Sequence, residues 1–563
     1  MSGPLSAQGP ATPDDESETI VVTGRGLADP PGTPAYGTVT LDRETLIASG
    51  SGRLEDALGA VAGFQQFRRS DSRSANPTAQ GMTLRALGGN AASRALVSLD
   101  GVPMVDPFFG HVPFSALAPE RLASARVTRG GGSGPFGAGA LAGTIELASA
   151  QAADLPLMSG SALVNDRAET ELAATVAPRL GAGFVTLSGR WDRGRGFWTT
   201  PDSQRVPASV PARYDSWSGQ LRGVAPVGPA LELQARLLVF RDRRELRFAG
   251  AKNATEGEDA SLRLVGRGRW QFDVLAYVQR RDFSNIVVSA TRLVPVLDQR
   301  KTPATGLGGK LELRPPVGGG HVLRLGADYR KALGVLQEDA ISVITGLVTQ
   351  RRTAGGANAD FGLFVEDDWS LGPLTLTAGA RADRTAIRDG FVMARTPAGI
   401  TTARTDHPDR ADWSTSLRGG ALLRLDGGVA LRAAAYSGLR LPTLNELYRQ
   451  FRIGPTLTLA NPALGPERLV GGEAGITVMP RPALTLRATW FDNRVRNPVS
   501  NVTDPLRSSP NAVIQQRLRG DRTHHGGGDV CLQALDQLLV HAHLVGGAPQ
   551  GIDGGRAGEG EDI

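Results

Sequence analysis

Few residues in this 563-residue chain have a type and spacing suited to covalent chemistry. The seven histidines and one cysteine come first, because four of those histidines (His524, His525, His541, His543) share the last stretch with Cys531. Imidazole and thiolate would suit zinc, but structural zinc sites use ligand pairs at short regular spacings that this run does not offer. No metal site is assigned. His111, His321 and His407 stand alone, and no serine or aspartate accompanies them in a pattern fit for nucleophilic catalysis. No catalytic residue follows, and the chain does not read as an enzyme. The glycine cluster 130–143 could suggest a phosphate cradle, yet it has neither a Walker lysine nor a G-x-G-x-x-G run opening a helix. Tight turns between short strands explain it better, and no cofactor is expected.

What remains is non-covalent chemistry. Glu18-Thr19-Ile20-Val21-Val22-Thr23-Gly24 places three β-branched apolar residues inside a leader rich in proline, glycine and acid. Such a segment can add as an edge strand to another protein, its backbone supplying affinity and its alternate side chains selectivity.

The elements that would position such a segment follow from composition. A chain this long exceeds one ordinary core, and its 72 Gly and 36 Pro favour many short strands over long helices. Lys+Arg number 62 against 56 Asp+Glu, and the net charge of +6 is spread singly, so nucleic acid is not an expected partner. No run approaches the ~18 apolar residues of a membrane helix, so a membrane role would use strands. One cysteine excludes an internal disulfide. Residues 1–13 show neither the basic start nor the apolar core of a secretory signal, and the assigned start is read as lacking it.

Four zones follow. Residues 1–35 form a flexible leader. Residues 36–150 read as a small α/β unit. Leu54, Ala57, Leu58 and Val61 predict a helix over 51–62, and a second helix-like patch covers 113–122. Asp100-Gly101 between two apolar runs predicts a hairpin, because both positions of that turn need positive φ. Residues 151–517 alternate with period two. Leu374, Leu376, Ala378, Ala380 and Ala382 share one face of their segment, while Thr375, Thr377, Arg381 and Asp383 share the other. Residues 321–330 and 484–493 repeat this pattern. With short links alternating with long ones, and Trp191, Tyr214, Trp217, Tyr277, Phe283, Trp369, Trp413 and Trp490 near segment ends, the pattern predicts a transmembrane antiparallel β-barrel of about sixteen strands.

Against that background the small unit resembles the plug of TonB-dependent outer-membrane receptors. The resemblance rests on Leu84-Arg85-Ala86-Leu87-Gly88, on Leu99-Asp100-Gly101-Val102-Pro103, and on Arg129 and Gly130 followed by Gly137 through to Gly143. In the barrel, Pro442, Thr443 and Glu446, then Asn461, Pro462, Glu467 and Glu473, resemble the family signature. Residues 18–24 sit where that family carries its TonB box. The resemblance implies a 22-stranded barrel with the plug in its lumen, in the outer membrane of a Gram-negative bacterium and in contact with its lipid. It also implies that TonB binds by strand addition, and that a scarce small-molecule ligand such as a siderophore, cobalamin or similar metal chelate is imported with proton-gradient energy. Arg85 and Arg129 match plug arginines that face barrel glutamates, and Glu446 and Glu473 are the expected partners. The alternative is a passive porin-like barrel, against which the plug motifs argue.

The pattern stops near residue 517. Residues 518–563 contain no Phe, Trp or Tyr and no ten-residue alternation, so the tail is expected to be out-of-frame or disordered. The barrel would then be incomplete, with two unpaired edges facing lipid, and this polypeptide would insert poorly.

Overall fold

The computed structural model describes residues 23–546, apart from 69–71, 89–91, 131, 483, 510–511 and 535–536. Residues 18–22 of the leader segment lie outside the described residues.

An inner domain is built on a five-stranded sheet. Its strands are β1 (Gly37–Asp42), β2 (Ala95–Leu99), β3 (Val102–Pro103), β4 (Leu122–Arg129) and β5 (Gly143–Ser149), in the order β1-β4-β5-β2-β3. The β2–β3 hairpin turns at Asp100 (φ 50°) and Gly101 (φ 85°), as the dipeptide predicts. The first expected helix is present but short, α1 (Leu54–Gly59), with Leu54, Ala57 and Leu58 buried. The second is not an α-helix. Pro113 and Pro119 break the run into two single 3-10 turns, Phe114–Ala116 and Pro119–Arg121.

A wall of long strands surrounds this domain. It opens with β6 (Met158–Val164), β7 (Thr170–Val176), β8 (Gly183–Gly194), β9 (Arg213–Gly228), β10 (Leu231–Glu245) and β11 (Lys252–Arg267). It continues through β12 (Gln271–Val288), β13 (Ala304–Arg314), β14 (His321–Ile341), β15 (Val348–Leu371), β16 (Leu374–Arg395) and β17 (Arg410–Leu425). It ends with β18 (Val429–Arg440), β19 (Glu467–Arg481), β20 (Leu484–Arg496), β21 (Arg522–Ala534) and β22 (Gln537–Gly546). Three short strands at loop ends (Arg179–Leu180, Pro295–Lys301, Thr401–Asp406) bring this sheet to twenty.

Each long strand pairs antiparallel with the next, from β6 round to β22, and no backbone pairing joins β22 to β6 among the described residues. No helix of the described residues is long and apolar enough to cross a membrane.

Two expectations about the wall change. Residues 522–534 and 537–546 of the tail form its last two strands instead of an unstructured end. Over residues 522–531 the two faces alternate, with Arg522, His524 and Val530 exposed and Asp529 and Cys531 buried. Second, not every aromatic faces outward. Trp217, Trp369, Trp413 and Trp490 are exposed, but Tyr214 and Phe283 are buried in the lumen because they fall on the opposite parity of their strands.

Short turns join strands at one end, and at the other long connections add a second layer. There α2 (Leu444–Tyr448) and a four-stranded sheet of Phe451–Ile453, Thr456–Leu459, Val513–Arg519 and Val499–Thr503 cover the barrel mouth. Leu444, Leu447 and Tyr448 pack with Phe108 and Phe109 of the inner domain and Phe283 and Ile387 of the wall in one buried apolar cluster.

Candidate functional site

The contact between inner domain and wall is the chemically dense part of the molecule. It is made of charged side chains that are almost wholly buried. Arg85 sits in a turn where it and Ala86 both hold positive φ (53° and 52°), which aims the side chain outward. Its guanidinium meets Glu473 of β19 at 2.5 Å, donates to the Tyr436 hydroxyl at 3.0 Å, and lies 4.4 Å over the Phe491 ring. Burial would lower its pKa, but Glu473, then Tyr436 and Asp529, hold it above the ordinary arginine value.

Arg129, at the end of β4, donates to the Asp529 carboxylate at 3.1 Å and to the carbonyls of Gly37 and Ala62. Burial, reinforced by neighbouring Arg85, lowers it to about 10. Arg85 also approaches Asp529 at 3.5 Å. Two plug-side cations therefore share two wall carboxylates.

Glu473 is where the sequence pointed. Glu446 is not a partner of either arginine. Its carboxylate is held by Arg440 at 3.1 Å and caps α2, accepting from the Thr443 backbone at 2.8 Å while Thr443 Oγ1 accepts from the Glu446 N–H. A capping glutamate is turned into its own helix and cannot reach across the lumen. The partner that sequence reasoning missed is Asp529, in the tail, where loss of the aromatic pattern hid the strand carrying it.

A third pair was also missed. Arg94, buried, meets Glu467 at 2.6 Å, and Glu467 also accepts from Arg440 and from the Val499 N–H. The chain Arg94–Glu467–Arg440–Glu446 thus runs from the inner domain to the helix over the barrel mouth. Other signature residues brace the same loops. The Pro442 carbonyl accepts from Asn358 at 2.7 Å, the Asn461 amide donates to the Arg517 carbonyl at 2.8 Å, and Arg410 donates to the Pro462 carbonyl.

The remaining motif residues fix the inner domain to the wall. The Asp100 carboxylate accepts from Ser149 Oγ at 2.6 Å and from Arg236 at 3.2 Å. Burial would raise its pKa, yet Arg222 and Arg236 hold it below the usual carboxylate range. The Pro103 carbonyl accepts from Gln279 at 2.8 Å. Gly130 (φ 98°) lies against Tyr436, whose ring a Cβ would meet at 2.4 Å. A Cβ on Gly143 would lie 2.1 Å from the Thr128 carbonyl. Gly88 and Gly137 also hold positive φ, in turns beside Arg94 and Arg381.

The leader enters at the short-turn end. Thr23 donates its N–H to Glu232 at 2.8 Å, and Arg267 donates to Thr23 Oγ1 and to the Arg25 carbonyl at 2.8 Å each. Gln234 holds the same carbonyl at 2.8 Å, and Arg314 holds that of Ala28 at 2.7 Å. Thr23 is the one residue of the strand-like segment, apart from Gly24, whose contacts are described. The two tail histidines whose side chains are described point to opposite faces of their strand. His524 faces out and meets Asp492 at 2.6 Å, while its neighbour His525 falls on the lumen face, as strand alternation requires.

The arrangement holds a small domain inside the wall of strands by buried ion pairs, with a tail of chain at one mouth and a covered apolar apex at the other. Comparisons with known proteins place it. A family model described as "TonB dependent receptor-like, beta-barrel" matches residues 179–527, and one described as "TonB-dependent Receptor Plug Domain" matches residues 33–144. A comparison with curated protein sequences finds no match. Among solved structures, the copper transporter OprC is similar at 17% identity and TM-score 0.69, over 88% of this chain and 77% of that one. The Serratia marcescens hemophore receptor HasR, solved with its hemophore HasA and heme, gives 16% identity and TM-score 0.70, over 88% and 79%. The ferric enterobactin receptor PfeA of Pseudomonas aeruginosa gives 16% and 0.64, over 88% and 77%.

Proposed function

We propose that this chain, which belongs to the TonB-dependent receptor family, imports a scarce ligand such as a siderophore, cobalamin or similar metal chelate across the outer membrane, with energy from the inner-membrane proton gradient. The family's members are outer-membrane barrels of Gram-negative bacteria. The copper, heme and siderophore proteins among its structural neighbours support a metal-chelate class of ligand.

One observation carries the reading: the plug fills the lumen and is held by buried ion pairs, while the leader leaves at the short-turn, periplasmic rim. A passive pore has no use for either feature. In the proposed cycle the ligand settles on the outward loops above the plug apex. TonB then adds a strand to residues 18–24 and pulls. Tension on the leader acts first on the Glu232 and Arg267 clamp and then on the Arg85 and Arg129 contacts. A buried pair suits this task, because it is stable until one partner moves and costly once bare.

The test uses ferric enterobactin and cyanocobalamin as probes in starved cells expressing the full chain. Energy-coupled import requires uptake of a probe that disappears when residues 18–24 are deleted or Ile20→Pro is introduced. Uptake that survives the deletion overturns the reading in favour of a passive pore.

A further inference from the structure

The layer over the barrel mouth gathers three arginines around one acid. Arg352 of β15 and Arg449, the residue after α2, both turn to the Glu338 carboxylate on β14, at 3.1 and 3.5 Å. Arg517, on the mouth strand Val513–Arg519, meets backbone instead. Its guanidinium donates to the carbonyls of Asn445 and Arg449 at 2.7 Å each and to that of Glu446 at 3.3 Å. The Phe451 ring adjoins two of the three, 5.8 Å from the Arg449 guanidinium and 5.2 Å from that of Arg517.

Charge does not balance in this group. Among the described residues Glu338 is the one carboxylate that reaches Arg352 or Arg449. Glu446, the acid that acts on Arg517, is already held by Arg440. Burial, reinforced by Arg352 and opposed by Glu338, lowers the Arg449 pKa, and burial with Arg449 nearby lowers that of Arg517 to about 10. A buried cation short of counter-charge is costly, and an anion placed among these three removes the cost.

The group is open to the outside and stands directly over the plug. The side chains of Arg352 and Arg449 keep 22% and 12% of their surface exposed, whereas Glu338 and Arg517 are buried. Leu336 and Ala354 belong to the apolar cluster at the plug apex and lie two residues from Glu338 and Arg352 on the same strands, about 7 Å away. A molecule settling here meets apolar and aromatic surface on one side and guanidinium forks on the other.

A guanidinium fork matches the two oxygens of a carboxylate through parallel N–H bonds. The ligand must therefore present carboxylate oxygens outward. A tris-catecholate chelate turns its charged oxygens to the metal and its rings outward, and the periphery of cobalamin carries neutral amides. An α-hydroxycarboxylate chelate keeps uncoordinated carboxylates on its outside.

We infer that Arg352, Arg449 and Arg517 form a recognition site for free carboxylates of the imported ligand, which makes the cargo a polycarboxylate metal chelate. The cargo's role rests on the import reading above, while the site is read by binding alone.

The test is calorimetric titration of the full chain in detergent with ferric citrate, ferric enterobactin and cyanocobalamin, and with metal-free citrate as control. Ferric citrate is expected to bind at least about tenfold tighter than any other probe, and more weakly as salt rises. Arg449→Gln is expected to weaken it about thirtyfold, the worth of one hydrogen bond between charged groups. Arg449→Lys keeps the charge without the fork and is expected to fall between. Arg404→Gln, in an exposed loop pair with Asp406, is expected to leave binding unchanged. Glu338→Gln gives a sign that a structural role alone does not produce. It deletes the competing carboxylate and is expected to tighten ferric citrate binding, so weaker binding in this variant overturns the proposal. Binding of ferric enterobactin, cyanocobalamin or metal-free citrate as tight as that of ferric citrate also overturns it. The two readings fail separately. Ferric citrate bound tightly yet taken up after deletion of residues 18–24 overturns import and leaves the site standing. Leader-dependent uptake of cyanocobalamin with no binding of ferric citrate overturns the site and leaves import standing.

Discussion

Arg129 of the plug donates to Asp529 of the wall at 3.1 Å, a contact that joins residues 400 positions apart. Both side chains are buried, and Asp529 also faces Arg85 at 3.5 Å. The carboxylate therefore compensates two cations at once, and Glu473 alone would remain to serve them if it were lost.

Asp529→Asn is accordingly expected to loosen the plug without opening the barrel. Removing one partner of a buried pair costs about 3 kcal/mol. Hydrogen exchange over β1 and β4 should accelerate, while exchange over β14 to β16 stays as in the parent. Unchanged protection in β4 would show that Glu473 suffices.

Glu446→Gln should act elsewhere. It weakens the cap of α2 and breaks the buried Arg440 contact, for a loss of about 3 kcal/mol confined to the loops at the mouth. Limited proteolysis within residues 441–466 should quicken, with plug exchange unaltered. The opposite pattern is expected of Glu473→Gln, whose carboxylate holds Arg85.

The leader clamp predicts an accessibility change. In a Cys531→Ser background, Arg25→Cys should react slowly with a water-soluble maleimide, because the backbone of residues 23–25 is held by Glu232, Gln234 and Arg267. Adding Glu232→Gln and Arg267→Gln should raise the rate about tenfold, the scale set by loss of charge-assisted hydrogen bonds. An unchanged rate would assign the hold to Arg222 and Arg314 instead.

His111 gives a pH dependence. It is fully buried among Phe109 and Phe283, and neither ring nitrogen has a hydrogen-bond partner among the described residues. Burial, together with Arg244 and Arg281 and against the pull of Asp106, lowers its pKa below the ordinary histidine value. The folded state stays neutral where the unfolded state, titrating near 6.5, takes up a proton. Its contribution to stability is thus complete above about pH 6.5 and is lost as pH falls towards the depressed folded value. His111→Phe should remove that slope from plug stability measured between pH 7 and 5, and should gain about 1–2 kcal/mol by deleting unpaired polar atoms. A slope that persists in the variant would assign it to other groups.

The Asp100-Gly101 turn, the small domain ahead of the wall and the alternating wall were legible in the chain, because each is a local property of a few neighbouring residues. Period-two alternation tells which side chains share a face. It does not tell which strand a given face will meet. The expected helix over 113–122 failed for a local reason as well: its apolar spacing was read without weighing Pro113 and Pro119. The strands of 522–546 went unread because glycine and histidine alternate there without the aromatic residues that mark the rest.

The sequence by itself determined that this protein has two-faced strands with charge on the inner face and a small domain ahead of them. Only the folded wall around the plug decided that Arg129 meets Asp529, that Arg94 meets Glu467, and that Glu446 turns back on its own helix. Pairings between residues hundreds of positions apart depend on how many strands separate them around the wall and how the plug is rotated within it. Those quantities are set by the sum of all contacts, not by any segment alone.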